Sequence, residues 1–199
     1  NLKSTACFKK FSPSFSVITK PKIEPKGERD FMLELNSCIS LNGKDYQLEK
    51  LLGKGKGGYS YLASCGGSFF VLKQIHHEPC SYYQFGNKIM AELNDYERLK
   101  NAGIRIPLMI AHDVQNERIL KEYIDGSTIE QLAKENLVKP EYIAQVEEMC
   151  RKLYPLHLNI DYYPTNFIVQ NGLLYYIDYE CNEYSDEWNF ENWGKKYWS

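Results

Sequence analysis

The amino-acid sequence predicts an α+β fold in which an antiparallel, β-rich part is followed by a smaller helical part. Two stretches rich in aromatic and β-branched residues, 59–63 and 68–74, flank the pair Gly66-Gly67, which is typical of a tight hairpin turn. Apolar residues then recur at helical spacing between residues 82 and 102. A second hairpin is predicted at Asn171-Gly172, which lies between two apolar runs and favours a type I′ turn.

Length and composition narrow the class of protein. The chain has 199 residues, of which 43% are hydrophobic and 25% charged, so it can bury a core in one or two lobes. Its formal net charge of -2 excludes a strongly basic chain that binds nucleic acid mainly by neutralising phosphates, and no nucleic-acid partner is expected. No apolar run approaches the roughly 18 residues that span a bilayer, so no membrane segment is expected.

The six cysteines indicate the redox environment. They include no CxxC pair and no close grouping of Cys and His that would predict a zinc site. A chain of this length can be stabilised by packing alone, so free thiols are favoured over disulfides and a reducing, cytoplasmic location is expected.

The character of the sequence changes near residue 45. Residues 1–44 mix Lys, Pro and Ser and are interpreted as an N-terminal extension, either a partly ordered tail without a role or a docking or regulatory segment. We predict a β-rich first lobe over residues 45–124 and a reduced helical second lobe over residues 125–199.

Three helices and two further strands are predicted around and between the hairpins. The first helix spans residues 82–102, with Gly103 placed as a C-terminal cap. Strands are predicted over residues 108–111 and 118–124. The second helix opens with Ser127 and Glu130 spaced as a capping box, and the third begins at Pro140 and ends before Pro155.

A glycine-rich loop is the first pattern that carries chemistry. Gly53, Gly55 and Gly58 form a GxGxxG pattern between two predicted strands. Glycines let a turn pass close over phosphates and offer backbone N–H groups to the phosphate oxygens. A dinucleotide-binding fold would place a helix directly after the glycines, whereas residues 59–63 are predicted as a strand. The pattern therefore favours a kinase-type phosphate loop, with a flexible glycine-rich hairpin as the alternative.

A lysine and a glutamate form the second pattern. Lys73 lies at the end of the apolar strand after the first hairpin, and Glu92 falls between Ile89 and Leu93 on the apolar stripe of the first helix. A carboxylate on a buried face is costly unless a cation pairs with it, and Lys73 is the natural partner. Such a pair would orient the ammonium towards the α- and β-phosphates of a nucleotide. The alternative is that Glu92 lies at the edge of the stripe in solvent.

The second hairpin brings three polar side chains to one place. Its register pairs residue 170 with residue 173, and counting outwards brings position 166 opposite position 177. Asn166 and Asp178 therefore meet at the open end, where their oxygens suit a hard cation such as Mg²⁺ with ATP phosphates. Asp161 begins the same loop, which places one acid next to the attacking nucleophile and Asn166 at the metal. The alternative is a plain surface hairpin with polar ends.

The fourth pattern is a strand that runs into a short link over residues 119–126. Such a link can act as a hinge between two lobes and hydrogen-bond adenine through the backbone of Glu122 and Ile124. By itself, the pattern is only a strand followed by a turn.

In this order the patterns resemble the protein-kinase-like superfamily over about residues 46–180, and within it the small atypical kinases of the RIO group and the KEOPS-complex kinase. The resemblance implies a bilobal α+β fold with ATP and Mg²⁺ in the cleft. It implies Lys73 and Asp161 as catalytic residues and Asn166 and Asp178 as metal ligands. The nucleotide-binding positions that it implies are Gly53, Gly55, Gly58, Lys73, Glu92, Glu122 and Ile124.

Two motifs of the second lobe depart from the superfamily pattern. Tyr163 stands where protein kinases have a lysine that helps to neutralise the γ-phosphate, and kinases of the RIO type also lack that lysine. The counterparts of the HRD and DFG motifs are Asn159-Ile160-Asp161 and Asp178-Tyr179-Glu180.

The resemblance implies an atypical kinase that uses ATP and Mg²⁺ to phosphorylate a Ser/Thr hydroxyl of another protein or of the chain itself. Two alternatives stay open: a small-molecule kinase of the aminoglycoside or sugar phosphotransferase type, and a pseudokinase-like nucleotide-binding scaffold. Residues 183–199 are rich in aromatic side chains. They are expected to form a final amphipathic helix that closes the base of the second lobe, or else an exposed patch that recruits a protein partner.

Overall fold

The first lobe is an antiparallel sheet with one helix. The structure, a computed structural model, describes residues 32–78 and 86–198 of the chain. The elements of this lobe are β1 Cys38–Leu41, β2 Lys44–Lys54, β3 Gly58–Cys65, β4 Ser68–Ile75, α1 Lys88–Asn101, β5 Met109–Asp113 and β6 Arg118–Glu122. The strand order is β1-β2-β3-β4-β6-β5, and every neighbouring pair is antiparallel. Strand β1 falls within residues 1–44, the stretch interpreted from the sequence as an extension; residues 1–31 lie outside the described part.

The hairpin predicted at Gly66-Gly67 is confirmed. The two glycines have φ values of 58° and 80°, and Cys65 pairs with Ser68 across the turn. Burial alternates along β3, with Tyr59, Tyr61 and Ala63 facing the core. This period-two pattern fixes the register, because a shift of one residue would expose the core face.

Helix α1 begins later than the predicted residue 82. Residues 82–85 lie outside the described part, and residues 86 and 87 form a bend rather than helix. The helix starts at Lys88 because the Asn87 side chain accepts a hydrogen bond from the Met90 N–H at 3.2 Å and caps it. The predicted end of the helix at residue 102 is one residue beyond the observed end, Asn101. Gly103 adopts a φ of 71°, as expected for a residue that follows a helix.

The second lobe combines two helices with short strands. Its elements are β7 Ser127–Thr128, α2 Ile129–Lys134, α3 Pro140–Leu153, β8 Leu158–Ile160, β9 Phe167–Gln170, β10 Leu173–Tyr176 and β11 Cys181–Glu183. Strands β10, β9 and β7 form one small sheet, and β11 pairs with β8. The predicted limits of α3 are confirmed. Strand β6 ends at Glu122, two residues before the predicted end of its strand, so residues 123–125 form a link without regular secondary structure.

The hairpin predicted at Asn171-Gly172 is also confirmed. These residues have φ values of 51° and 78°, the combination that a type I′ turn requires. Gln170 pairs with Leu173, and the Ile177 N–H donates to the Asn166 carbonyl at 2.9 Å. The register deduced from the sequence therefore holds as far as positions 166 and 177.

The predicted capping box of the second helix was wrong by one residue. Thr128, not Ser127, is the N-cap of α2, and its partner is Gln131, not Glu130. The Thr128 hydroxyl accepts from the Gln131 N–H at 3.1 Å, while the Gln131 side chain accepts from the Thr128 N–H at 2.9 Å. Ser127 and Thr128 pair with Val169 and Ile168 in the small sheet, so the helix begins only at Ile129 and Thr128 is the residue directly before it.

The C-terminal segment does not form the expected amphipathic helix within the described residues. Short 3-10 turns at Asp186–Trp188 and Lys195–Tyr197 flank a π-helical turn at Phe190–Gly194. Phe190 and Trp198 are buried, and the Trp198 Nε1–H donates to the Tyr162 carbonyl at 2.8 Å. These anchors break the segment into turns while it still closes the base of the lobe. Trp188 remains exposed.

Three buried clusters organise the described residues. One lies in the sheet of the first lobe, and one joins α3, β8, β9, β10 and the C-terminal segment. The third lies between the lobes and consists of Ile75, Ile89, Tyr96, Ile119 and Tyr179. No helix of the described residues is long and apolar enough to cross a membrane. The four described cysteines, Cys38, Cys65, Cys150 and Cys181, are free thiols.

Candidate active site

Lys73 lies between two carboxylates at the back of a cleft. It is on β4, which is paired on both sides by β3 and β6. Its Nζ lies 2.5 Å from Glu92 Oε1 and 3.5 Å from Asp178 Oδ1. The side chains of Lys73 and Glu92 are 12% and 14% exposed, so the ion pair is largely removed from water. The pairing expected from the apolar stripe of α1 is therefore present.

The charges of this group stabilise one another. Burial alone would lower the pKa of Lys73, but the carboxylates of Asp178 and Glu92 outweigh burial and raise it above its ordinary value. Burial would raise the pKa of Asp178, yet the ammonium groups of Lys73 and Lys121 and the Tyr179 N–H hold it below its usual range. Asp178, whose side chain is 31% exposed, is therefore held as an ionised carboxylate, which is the state that a cation ligand requires.

Helix α1 is fixed against the sheet so that Glu92 faces Lys73. Ile89 and Tyr96, on either side of Glu92 along the helix, are buried in the cluster between the lobes. At the start of the helix, Lys88 Nζ donates to the His76 carbonyl at 2.6 Å. The helix is thus attached at its first turn and packed along the face that carries Glu92.

The glycine-rich loop lies directly over the ion pair. A Cβ added at Gly57 would be 3.3 Å from Glu92 Oε1, and one at Gly58 would be 2.5 Å from the Gln74 carbonyl. The Gly55 N–H donates to the Gly58 carbonyl at 2.9 Å, and the Gly55 carbonyl accepts from His76 Nε2 at 3.1 Å. The loop is therefore closed on itself and held against β4 by close backbone approaches.

Gly53, Gly55 and Gly58 have different local requirements. A side chain at Gly53 would meet no atom within 4 Å, and one at Gly55 would meet only the Gly58 carbonyl at 3.9 Å. At Gly58 and at Gly57 the neighbours leave little room. The sequence pattern did not single out Gly57, although it is the glycine nearest to the ion pair.

The link after β6 offers backbone groups to the cleft. The Glu122 N–H donates to the Leu108 carbonyl at 2.9 Å, so the predicted role of Glu122 is restricted to its carbonyl oxygen. The Ile124 N–H has no acceptor among the described residues, although Ile124 is buried. A buried donor of this kind is suited to a ligand. Gly126 follows, and a Cβ there would lie 2.0 Å from the Val169 carbonyl.

The loop after β8 holds Asp161 and Asn166. The Asp161 carboxylate accepts from the Tyr163 N–H at 3.0 Å, and Asn166 Nδ2 donates to the Asp161 carbonyl at 3.3 Å. A single 3-10 turn, Pro164–Asn166, leads into β9. These contacts fix the distance between the start of the loop and the hairpin that carries Asp178.

The cleft itself has a volume of about 660 Å³, a size suited to a nucleotide. Leu52, Val71, Ile168 and Ile177 contribute apolar surface to it. Eight of the predicted site residues line it: Gly53, Gly55, Gly58, Lys73, Glu122, Ile124, Asn166 and Asp178. Glu92 and Asp161 do not line the cavity, but Glu92 forms an ion pair with Lys73, which does. The structure therefore gathers most of the predicted residues at one cavity, and their roles remain predictions.

The available donor set fits Mg²⁺ with a nucleotide. Asp178 supplies a carboxylate and Asn166 an amide, and both line the cleft together with Lys73. Mg²⁺ is commonly held by one or two protein oxygens, with phosphate oxygens and water as the remaining ligands. Asp178 and Asn166 would hold the cation in that arrangement.

Lys121 is a further residue of this site that sequence reasoning did not assign. It lies on β6 and is only 7% exposed. Its Nζ donates to the Ile177 carbonyl at 2.6 Å and lies 4.7 Å from the centre of the Tyr179 ring. The sequence feature that could have identified Lys121 is its position in the apolar run Ile119-Leu120-Lys121. A charged residue that is buried in a central strand must find partners.

The structure shows what surrounds the residues that differ from the usual kinase motifs. Tyr163, in place of the usual lysine, is 39% exposed and packs its ring against Trp193 and Tyr197 at centroid distances of 6.5 and 5.3 Å. Glu180 lies near Asp178 and Asp161; burial, followed by those two charges, raises the pKa of its carboxyl. The Tyr179 hydroxyl donates to the Pro107 carbonyl at 2.7 Å, which anchors the segment to the first lobe.

Comparison with known proteins supports the relationship that the motifs suggest. No protein-family model matches the sequence. The chain is 28% identical over 103 residues to the KEOPS complex subunit Bud32 of Pyrococcus abyssi. The match covers 50% of this chain and 46% of that relative, so the chain spans about half the length of the curated protein that it matches. Together with the bilobal fold, this similarity supports a kinase-like relationship of the RIO and KEOPS type.

Proposed function

We propose that the chain is an ATP- and Mg²⁺-dependent phosphotransferase, an atypical protein kinase that acts on a Ser or Thr hydroxyl. The observation that carries the proposal is the position of Lys73, 2.5 Å from Glu92 and 3.5 Å from Asp178 at the back of the cleft. An ammonium held by one carboxylate beside a second carboxylate that can bind metal is the arrangement that protein kinases use for phosphoryl transfer.

The cleft supplies a separate position for each part of a nucleotide. The apolar residues Leu52 and Val71 would cover the base, while the Ile124 N–H and the Glu122 carbonyl would bind its edge. The phosphates would lie beneath the glycine-rich loop, with Lys73 binding their oxygens. Mg²⁺, when bound, would neutralise charge on the transferred phosphoryl group.

Asp161 is proposed to orient and deprotonate the acceptor hydroxyl. Its carboxylate accepts one hydrogen bond from the Tyr163 N–H, and its carbonyl accepts one from Asn166. These contacts hold the side chain at the start of the loop, next to the proposed metal ligand. The carboxylate oxygens still have capacity to accept a further hydrogen bond from a substrate.

One observation favours a second candidate, a pseudokinase-like nucleotide-binding scaffold. Tyr163 carries no charge at the position of the usual lysine, and its ring packs at a tilt against those of Trp193 and Tyr197. No cation at that position would assist the γ-phosphate. The other contacts of the site are equally compatible with a protein that binds ATP through Lys73 and Asp178 without transferring phosphate.

The test is transfer of label from γ-labelled ATP in the presence of Mg²⁺, with the protein alone, with generic protein acceptors and with aminoglycosides or sugars. The proposal is supported if protein becomes labelled and if Asp161→Asn lowers the rate of labelling about 100-fold or more. General-base catalysis contributes at least that much to the rate. Asp45→Asn serves as the matched control, because Asp45 is an exposed residue in the β1–β2 hairpin.

Each other outcome identifies a different function. Label found only on small molecules would replace the protein kinase by a small-molecule kinase. Nucleotide binding without transfer, unchanged in Asp161→Asn, would favour the scaffold. Absence of both binding and transfer in the wild-type protein would overturn the nucleotide site itself.

A further inference from the structure

Lys121 is a buried cation that the proposed reaction does not use. Its neighbours on β6, Ile119 and Leu120, are fully buried, and Lys121 itself is 7% exposed. Removing an ammonium from water is costly unless it is paired and hydrogen-bonded, so this residue needs compensating contacts. Its side-chain hydrogen bond and its contact with an aromatic ring both lead to one segment of the second lobe.

That segment contains the proposed metal ligand. Lys121 Nζ donates to the carbonyl of Ile177, the residue before Asp178, at 2.6 Å. The same atom lies 4.7 Å from the ring centre of Tyr179, the residue after Asp178. An ammonium at this distance from an aromatic ring is attracted by it, more strongly when both are removed from water. Lys121 thus contacts the chain on both sides of Asp178.

The register of the sheet places a second lysine beside the first. Lys121 pairs with Val71 and Lys73 pairs with Ile119 across β4 and β6, so both lysines are on the same face of the sheet. The two ammonium groups face the carboxylates of Asp178 and Glu92, and the four charges sum to zero. Burial, and then the charge of Lys73, lowers the pKa of Lys121 to about 8, while the two carboxylates oppose the shift.

Tyr179 completes the attachment of the segment to the first lobe. Its hydroxyl donates to the Pro107 carbonyl at 2.7 Å, and its ring lies 4.9 Å from that of Tyr96 on α1. Its N–H donates to Asp178 Oδ1 at 2.8 Å. The direction of the Asp178 carboxylate therefore depends on where Tyr179 is held, and Lys121 binds that ring.

We propose that Lys121 is a positioning residue that holds Asp178 ready for the divalent cation by fixing the Ile177 carbonyl and the Tyr179 ring. The inference rests on the proposed function, because the cation is the one that accompanies the nucleotide. It adds a physical link between the strand that leads to the hinge and the segment that binds metal. Loss of Lys121 would then weaken the use of Mg²⁺ more than the binding of the base.

The experiment measures binding of an N-methylanthraniloyl derivative of ATP as Mg²⁺ is varied, in the full chain. Lys121→Met removes the charge and the hydrogen bonds while keeping a long side chain, and Lys121→Arg restores both. The matched control is Lys152→Met, which removes an exposed lysine that donates to the Gly103 carbonyl at 3.0 Å, away from the cleft. Hydrogen–deuterium exchange of residues 174–183 in the ligand-free protein is recorded in parallel.

The expected result is a rise of about tenfold in the Mg²⁺ concentration at half-saturation for Lys121→Met, with metal-free affinity within about twofold of wild type. Lys121→Arg and Lys152→Met should stay within about threefold, and exchange over residues 174–183 should be faster only in Lys121→Met. Three outcomes would overturn the inference: an unchanged Mg²⁺ response in Lys121→Met, equal losses in Lys121→Met and Lys121→Arg, or an equal loss of metal-free affinity. A wild-type protein that binds no nucleotide would instead overturn the proposed function, and this inference with it.

Discussion

At the scale of single residues, the site is a buried group of balanced charges rather than one ion pair. Lys73 contacts both Glu92 and Asp178, and Lys121 lies on the same sheet face. A buried pair contributes little net stability by itself, but removal of one partner leaves a charge that is both buried and unpaired. The residues proposed to bind ligand are therefore also the residues whose loss should affect folding.

Replacement of Lys73 tests this coupling. We expect Lys73→Met to lower the free energy of unfolding by about 3 kcal/mol, because Glu92 and Asp178 lose their cation. The double variant Lys73→Met/Glu92→Gln should recover about 1 kcal/mol or more, since one of the unpaired charges is removed. Urea denaturation measures both values. Lys100→Met is the control. Lys100 Nζ lies 3.8 Å from Glu97 Oε1 in an exposed ion pair, and its loss should change the free energy of unfolding by less than about 0.5 kcal/mol. A Lys73→Met protein as stable as Lys100→Met would contradict the account.

Lys121 predicts a pH dependence of stability in the ligand-free protein. Burial and the charge of Lys73 lower its pKa to about 8, while Asp178 and Glu92 oppose the shift. Between this value and the ordinary lysine pKa the unfolded chain binds more protons than the folded one, so the free energy of unfolding rises with pH. From about pH 8 to about pH 10 we expect wild type to gain about 2 kcal/mol relative to Lys121→Met. Parallel curves for the two proteins in chemical denaturation would show that Lys121 does not titrate in this way.

At the scale of elements, the link between the lobes is fixed by backbone contact with the small sheet of the second lobe. A Cβ at Gly126 would lie 2.0 Å from the Val169 carbonyl on β9, which is far inside van der Waals contact. The link can therefore reach its position only if residue 126 has no side chain. Because Glu122 and Ile124 precede Gly126 on the same link, their backbone groups depend on this approach.

We expect Gly126→Ala to lower the free energy of unfolding by about 3 kcal/mol, because the backbone must move to admit a methyl group. Nucleotide affinity should fall together with stability. Gly86→Ala provides the matched comparison, since a Cβ at Gly86 would meet no atom within 4 Å and φ there is not positive. Thermal and urea denaturation of both variants give the measurement. Equal stability of the two variants would be inconsistent with the close approach of the link to β9.

The start of α2 offers a second test at this scale. Thr128, the last residue of β7, closes a reciprocal capping box with Gln131, whereas Ser127 lies one residue further from the helix. Thr128→Ala should cost about 1 kcal/mol, the usual effect of losing an N-cap side chain, and Ser127→Ala should cost clearly less. The difference between the two, measured by urea denaturation, reports which residue caps the helix. A larger loss in Ser127→Ala would restore the assignment made from the sequence.

At the scale of the whole molecule, both lobes contribute to the cluster that supports the site. Ile75, Ile89 and Ile119 come from the first lobe and pack with Tyr179 of the second. Lys73 is carried by the sheet, Glu92 by α1 and Asp178 by the segment after β10. This group of charged residues therefore forms only when the sheet, the helix and that segment are packed together.

The parts of this arrangement that could be read from the sequence are those set by local chemistry. Asn171-Gly172 allows few turn geometries, so the register of β9 and β10 and the approach of Asn166 to position 177 followed directly. Glu92 on an apolar helical stripe required a cation, and Lys73 was available one strand earlier. Both deductions needed only the spacing of neighbouring residues and the cost of burying a charge.

The parts that could not be read depend on distant contacts or on small local differences. Ser127 and Thr128 are both good N-cap residues, and the choice between them follows from the pairing of both with β9, after which the helix begins at Ile129. The strand pair β8–β11 joins residues about twenty positions apart over three residues each, which is too short for a periodic pattern. The role of Lys121 depends on Ile177 and Tyr179, more than fifty residues along the chain.

The central claim is that Lys73, Asn166 and Asp178 form one site for a nucleotide and its divalent cation. Calorimetric titration of ATP with Mg²⁺, and of ATP with EDTA, into wild type, Lys73→Met and Asp178→Asn tests it most directly. The account predicts one nucleotide per chain, with affinity reduced about tenfold or more by EDTA, by Asp178→Asn and by Lys73→Met. Binding of equal strength in all of these titrations, or no binding to the wild-type protein, would contradict it.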